Sequence, residues 1–252
     1  MREPTIVTDV ADTLAGRIVA GTYPAGGLAP SVRQLAEEFS VNRATAQLVL
    51  VRLEAARLVE ARRGRGFVVR DLRRDGGLDV CRVMLRHARL LPDTAVGLFS
   101  GVLELYHDVL TRSARVVAAH PARHDHRPAV AALGAFEELS AVGAAPGALL
   151  RAELDIARAF AAAAARPVRI ALLNSVAEIL LDLPEAAAAH YPAGPTGHVL
   201  LWRTLVTGWA GGVVPTAAEL DLLDDVLELR LRQVGDRFAR LLRGSPGAAL
   251  RA

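Results

Sequence analysis

Two short stretches carry side chains suited to nucleic acid. Asn42-Arg43-Ala44-Thr45 places an amide, a guanidinium and a hydroxyl in one run, with Gln47 just beyond, and Arg62-Arg63-Gly64-Arg65-Gly66 sets arginines among glycines. Arginine pairs bidentately with guanine and glutamine with adenine in the major groove, and each arginine that meets a phosphate releases a condensed counterion. The charge is located accordingly. All 30 basic residues of the 252-residue chain are arginine, and the formal net charge is +3. Residues 1–75 hold 12 arginines against 9 acidic residues, whereas residues 76–252 hold 18 of each. A basic excess confined to the first 75 residues is the electrostatic footprint of a phosphate-binding module.

Catalytic and metal chemistry is less well supplied. Of seven histidines only His120, His124 and His126 cluster, in a stretch whose Pro121, Arg123, Asp125 and Arg127 mark a solvated loop. There is no Gly-x-Ser-x-Gly elbow, phosphate-cradling glycine loop or HExxH pair. The single cysteine, Cys81, excludes an intramolecular disulfide framework and a cysteine zinc cluster, and is expected to be a buried structural thiol. These residues point away from an enzyme and require no cofactor. With 52% hydrophobic and 23% charged residues the chain is expected to fold, as one large or two modest domains. The first residues lack a secretory leader's apolar run and cleavage site, and no apolar stretch is long enough to span a bilayer. The expectation is a cytoplasmic protein with no membrane partner.

The elements that must position the two stretches follow from apolar periods and caps. One helical period runs through Val10, Leu14, Ile18 and Val19, with Thr8 or Asp9 as cap, and Gly21 ends it. Ser31 is placed to cap a short helix from Val32 to Phe39. A turn at Ser40-Val41-Asn42 leads into a helix from about Arg43 to Arg57, with Ala46, Val49, Leu50 and Leu53 on one face. Apolar runs at 58–61 and 66–69 around the arginines read as a β-hairpin. Helix, short helix, turn, longer helix and hairpin is the order of a winged helix-turn-helix. In it the second helix presents Asn42, Arg43, Ala44 and Thr45 to the major groove, and the hairpin inserts Arg63 and Arg65 into the minor groove.

Residues 71–77 are charged and end in glycines, as a linker would. From Leu78 onward the periodicity is helical, in runs at 81–91, 93–112, 127–142, 145–164, 167–183, 197–210 and 217–242. The expected fold is mainly α: a winged helix-turn-helix with a small β-hairpin at 1–70, a linker at 71–77, and an all-α bundle of about seven helices at 78–252. A helical bundle can hold a small molecule between apolar walls with a few polar anchors, for which Arg158, Asn174, His190, Tyr191 and Trp202 are the candidates.

The first segment resembles the GntR superfamily of bacterial transcription regulators. The resemblance lies in Gly26-x-x-Ala29-Pro30-Ser31-x-Arg33-x-Leu35-Ala36, Val41-Asn42-Arg43-Ala44-Thr45, Leu50-x-x-Leu53-Glu54, Leu58-Val59 and the wing Arg63-Gly64-Arg65-Gly66-Phe67-Val68, without gaps over about residues 8–70. It implies that Arg33 contacts phosphate, Arg43 reads bases, Thr45 meets the backbone or a base edge, and Gly64 and Gly66 let the wing approach the groove. The chain departs from the family at Arg57, where a helix-ending glycine is usual, and at Gln47, usually a second recognition arginine. Leu48 and Val51 are apolar where the family is polar, which suggests a packing partner. Gln47, Leu48 and Val51 keep open an alternative, a ligand-sensing or protein-interaction module whose winged helix no longer binds DNA specifically.

Ala152 to Phe160, with Arg166-Pro167-Val168, resembles the signature helix of the FadR-like branch, and Gly76-Gly77-Leu78-Asp79-Val80 resembles its domain junction. One subgroup of that branch binds metal through an aspartate and three histidines. The corresponding positions here hold Glu153, Ala157, the vicinity of Trp202 and the vicinity of Asp236, so no metal is expected. The resemblance therefore implies the metal-free, fatty-acid-regulator type, sensing acyl-CoA or a related acid, and acting as a homodimer on a palindromic double-stranded DNA operator.

Overall fold

The computed structural model describes residues 5–244; residues 1–4 and 245–252, the outer ends of the two domains read from sequence, lie outside the described residues. The chain forms two compact units, Met1–Ala95 and Val96–Ala252.

The first unit opens with α1 (Ile6–Val19), α2 (Val32–Glu38) and α3 (Arg43–Ala55), followed by β1 (Val59–Arg62) and β2 (Gly66–Val69). Thr5, not Thr8 or Asp9, caps α1: its Oγ1 accepts the Thr8 N–H at 3.4 Å. The helix starts earlier than the apolar period because Val7 also packs on the core. Ser31 and Gln34 cap α2 reciprocally, Ser31 Oγ accepting the Gln34 N–H at 3.3 Å and Gln34 Oε1 accepting the Ser31 N–H at 2.8 Å. The strands pair antiparallel from Val59 opposite Val69 to Arg62 opposite Gly66, and Leu28 adds a bridge to Val68. Leu14, Leu35, Leu50, Leu53 and Leu58 are almost fully buried and close the core. Each contributes about 1.5–3 kcal/mol of burial.

The charged segment expected as a linker contains a helical turn, α4 (Leu72–Asp75). Asp71 caps it, its Oδ1 accepting the Arg73 and Arg74 N–H groups at 3.2 and 3.1 Å. Next come α5 (Leu78–Arg86) and a 3-10 turn, Ala88–Leu90. Both belong to the first unit, since Val83 packs on its core and the His87 ring lies against Gly16 of α1.

Helix α6 (Pro92–Ala119) leads into the second unit, which continues with α7 (Arg127–Ala141), α8 (Pro146–Ala163), α9 (Pro167–Leu181), α10 (Pro184–His190), α11 (Thr196–Ala210) and α12 (Ala217–Gly244). The run expected to reach Leu183 stops at Leu181, and Pro184 starts a separate helix over the alanine run. Proline suits such a start, because the first turn of a helix leaves its N–H groups unpaired in any case. Helices α7, α9 and α10 all pack against α8. Phe99 and Phe238 stack with ring centroids 3.9 Å apart. The fold is the expected one, a winged helix followed by an all-helical unit. Among the described residues no helix is long and apolar enough to cross a membrane.

Candidate functional site

Helix α3 has two faces. Ala46, Val49, Leu50 and Leu53 are buried in the core, which leaves Arg43, Ala44, Gln47, Leu48 and Val51 exposed on the other side. These residues follow the three- and four-residue steps that place side chains together on a helix surface. Asn42 caps the helix, its Oδ1 accepting the Thr45 N–H at 2.8 Å. The Asn42 carbonyl is thereby engaged and only its amide N–H groups are left for a partner. Thr45 is partly buried beside it. Among the described residues Arg43 makes no ion pair. At the first turn of α3 it adds a cation to the positive end of the helix dipole, which suits a phosphate or a guanine edge. Arg33 on α2 pairs with Glu37 at 2.9 Å, both well exposed. Such a surface pair is worth little and exchanges readily for phosphate.

The hairpin tip is Arg63-Gly64-Arg65. The Arg65 N–H donates to the Arg62 carbonyl at 2.9 Å, and Gly64 and Gly66 have φ of +76° and +88°, a region open to glycine at no steric cost. Arg63 and Arg65 are exposed and, among the described residues, unpaired, whereas Arg62 pairs with Glu60 at 3.4 Å. Glu54 Oε1 accepts the Ala61 N–H at 2.9 Å and fastens α3 to β1.

In the second unit a carboxylate is buried among rings. Glu153 of α8 accepts hydrogen bonds from Trp202 Nε1 at 2.9 Å, from His198 Nδ1 at 2.9 and 3.0 Å, and from the Tyr191 hydroxyl. His198 Nε2 faces the His190 carbonyl at 3.0 Å, so both of its ring nitrogens face acceptors. Burial pushes the Glu153 carboxyl up, but the charge and hydrogen bond of His198, with His190 and the Tyr191 hydroxyl, hold it down at about 2. Burial also pushes the Tyr191 and Tyr106 hydroxyls up, with the Glu153 charge adding to the effect, and keeps Tyr191 a donor. The His190 imidazole is lowered, chiefly by burial, against the opposing pull of Glu153. The result is a satisfied polar network. Among the described residues no group of three His, Cys, Asp or Glu side chains is placed to hold a metal ion.

His190 and His198 also line a cleft of about 170 Å³ with Arg230, Gln233 and Arg237 of α12. Arg230 Nη1 donates to the Gly197 carbonyl at 3.2 Å and Arg237 Nη1 to the Ala189 carbonyl at 2.9 Å. Among the described residues neither guanidinium pairs with a carboxylate.

Of the five candidate anchors, His190, Tyr191 and Trp202 thus gather around Glu153. Arg158 and Asn174 instead meet each other at 3.0 Å, with Asp155 2.6 Å from Arg158. Sequence reasoning missed Glu153 as the centre, and His198, Arg230 and Arg237 as its neighbours. One signal was present: Glu153 falls in phase with Leu149, Leu150, Ile156, Ala157 and Phe160, and a carboxylate in an apolar stripe must find donors. His120, His124 and His126 flank the 3-10 turn Pro121–Arg123 between α6 and α7, where Arg127 hydrogen bonds hold Asp125 at about 2. Cys81 is half-buried in α5, and burial, then Asp79, pushes its thiol up, so it is not an activated nucleophile.

A helix-turn-helix with an outward second helix and an arginine-tipped hairpin defines a winged-helix DNA-binding domain. Residues 6–69 match the family of bacterial regulatory proteins, gntR family, and form a GntR-type helix-turn-helix domain. The HTH-type transcriptional regulator Mce2R of Mycobacterium tuberculosis is 39% identical over 87 residues, 34% of this chain and 36% of that protein. An uncharacterised HTH-type transcriptional regulator of the same species is 44% identical over 62 residues, 25% of this chain and 26% of its own length. The chain thus spans about a third or less of these relatives. In fold, 96% of the chain superposes on 97% of Lar, which controls the expression of the Listeria monocytogenes agr system, with a TM-score of 0.51 and 14% identity.

Proposed function

We propose that the chain is a cytoplasmic transcription regulator, not an enzyme, of the FadR-like, metal-free kind. Residues 1–70 bind double-stranded DNA, 71–77 join the parts, and 78–252 sense a small acid and hold a homodimer. The observation that carries this reading is the outward face of α3, with Arg43 at its first turn unpaired among the described residues, in a domain whose hairpin exposes Arg63 and Arg65. Two copies would read an inverted repeat, since one small winged helix offers few base contacts. In the helical part Arg230 and Arg237 take a phosphate of an acyl-CoA, or the carboxylate of a related acid, beside His190. Tyr191 and Trp202 hold Glu153, and Arg158 with Asn174 form a second, exposed pair of anchors.

Fluorescence anisotropy on the DNA upstream of the protein's own gene, against a scrambled duplex and across salt, tests the first half. Sequence-selective binding with a steep salt slope is expected. Arg43→Ala should relax base preference by about 1–3 kcal/mol, and Arg63→Ala should weaken all sequences alike and lower the salt slope by about 1. Binding indifferent to sequence would favour the other reading, a protein-interaction module, for which Leu48 (56% exposed) and Val51 (46%) supply an apolar contact on the same face. A thermal-shift screen of acyl-CoAs and organic acids, repeated on Arg237→Ala, tests the second half.

A further inference from the structure

We propose that the second unit carries a separate binding site for an uncharged, mainly apolar small molecule, in a cavity between α6, α8, α11 and α12. The cavity has a volume of about 400 Å³, with walls that include Val117, Phe160, Leu205, Trp209, Leu223 and Val226. That is the size and character of a small-molecule site between helices. The Glu153 network and the Arg230 cleft contribute none of its lining.

Three observations set the ligand class. First, the lining holds no arginine or histidine, and its single ionisable side chain is Glu219, whose Oε2 accepts the Thr216 N–H and hydroxyl at 2.7 and 2.8 Å. Those two hydrogen bonds lower the Glu219 pKa and keep it anionic. An anionic ligand would give up hydration against apolar walls and meet no cation, so an acid is disfavoured where its ester or ketone is not. Second, Trp209 is 5% exposed and supplies a largely buried aromatic ring to the wall, which favours an apolar occupant. Third, Gly208 lines the cavity beside Trp209, and a β-carbon built there meets nothing within 4 Å. The helix therefore leaves open a volume that any larger residue would fill, although alanine would be the better helix former.

The acid-sensing cleft and DNA binding are not premises of this site, so either reading can fail without it. The test uses full-length protein and Nile red, a neutral, carbonyl-bearing dye that fluoresces on leaving water. One saturable, blue-shifted binding event is expected, displaced by methyl 4-phenylbutyrate at concentrations at least tenfold below those needed for the 4-phenylbutyrate anion. Gly208→Leu, which grows into the cavity, should weaken dye binding at least tenfold with an unchanged or raised melting temperature. Absence of saturable binding, equal displacement by the anion, or binding unaltered in Gly208→Leu would overturn the proposal.

Discussion

Arg57 shows how one residue's backbone can outweigh its side chain. It follows α3 with φ of +59°, the left-handed conformation that commonly ends a helix and that glycine adopts without strain. A β-carbon there costs about 1–2 kcal/mol. Its guanidinium lies 3.7 Å from Asp79, but with both side chains about half exposed the pair returns well under about 1 kcal/mol. Arg57→Gly is therefore expected to raise unfolding free energy by about 0.5–1 kcal/mol in urea titrations, the greater freedom of glycine in the unfolded chain offsetting part of the gain. A loss would show that the Asp79 contact matters more than the strain. Glu153 is the opposite case, a side chain fully committed to partners. Glu153→Gln removes the charge facing His198 and turns one acceptor into a donor, so a loss of about 3–5 kcal/mol is expected in the same titration.

At the scale of elements, α3 is both a wall of the core and the candidate reading surface, and Asn42 belongs to both roles. Its Oδ1 caps the helix while its amide N–H groups stay free. Asn42→Ala should lower stability by about 1 kcal/mol, and Asn42→Ser should restore it by supplying another acceptor. If Asn42→Ser keeps stability yet loses base selectivity, the amide reads DNA; if it keeps both, capping is the whole contribution. The winged helix was legible in the sequence because its determinants are local: the Ser31 and Asn42 caps, the stripe Ala46, Val49, Leu50, Leu53, and glycines at the hairpin tip. The helical unit was legible only as helices. Seven residues of α10 are too few to show a period, so its break from α9 at Pro184 was hidden. The Glu153 network joins α8, the end of α10 and α11 across 38 to 49 residues, and no local spacing encodes contacts of that kind. For the same reason no local pattern singles out Arg230 and Arg237 of α12, which line one cleft with His190 and His198.

Among the described residues, buried His190 and Glu153 and half-buried His87 make folding stability depend on acid. His190 in the second unit and His87 in the first both have imidazole pKa values lowered below 6.5, in each case chiefly by burial. Around His190 the charged neighbours are Glu153, which opposes the shift, and His198 and Arg230, which add to it; around His87 they are Asp12, which opposes it, and Arg86. A histidine kept neutral in the fold binds a proton more readily when unfolded. As pH falls below 6.5 the unfolded chain therefore gains protons that the folded chain does not, and stability declines. Glu153 continues the trend lower down. Its folded pKa of about 2 lies below the ordinary 4.5, so the stability it contributes is complete above pH 4.5 and disappears as pH falls toward 2. These three groups lower the melting temperature on acidification from pH 7.5, the fall beginning near 6.5 and steepening below 4.5. Scanning calorimetry at half-unit intervals checks it. His190→Gln retains a side-chain donor for the Ala186 carbonyl but cannot titrate, so whatever it does to absolute stability, it should flatten the segment between pH 6.5 and 5. A slope unchanged in that variant would show that His190 does not carry the acid response.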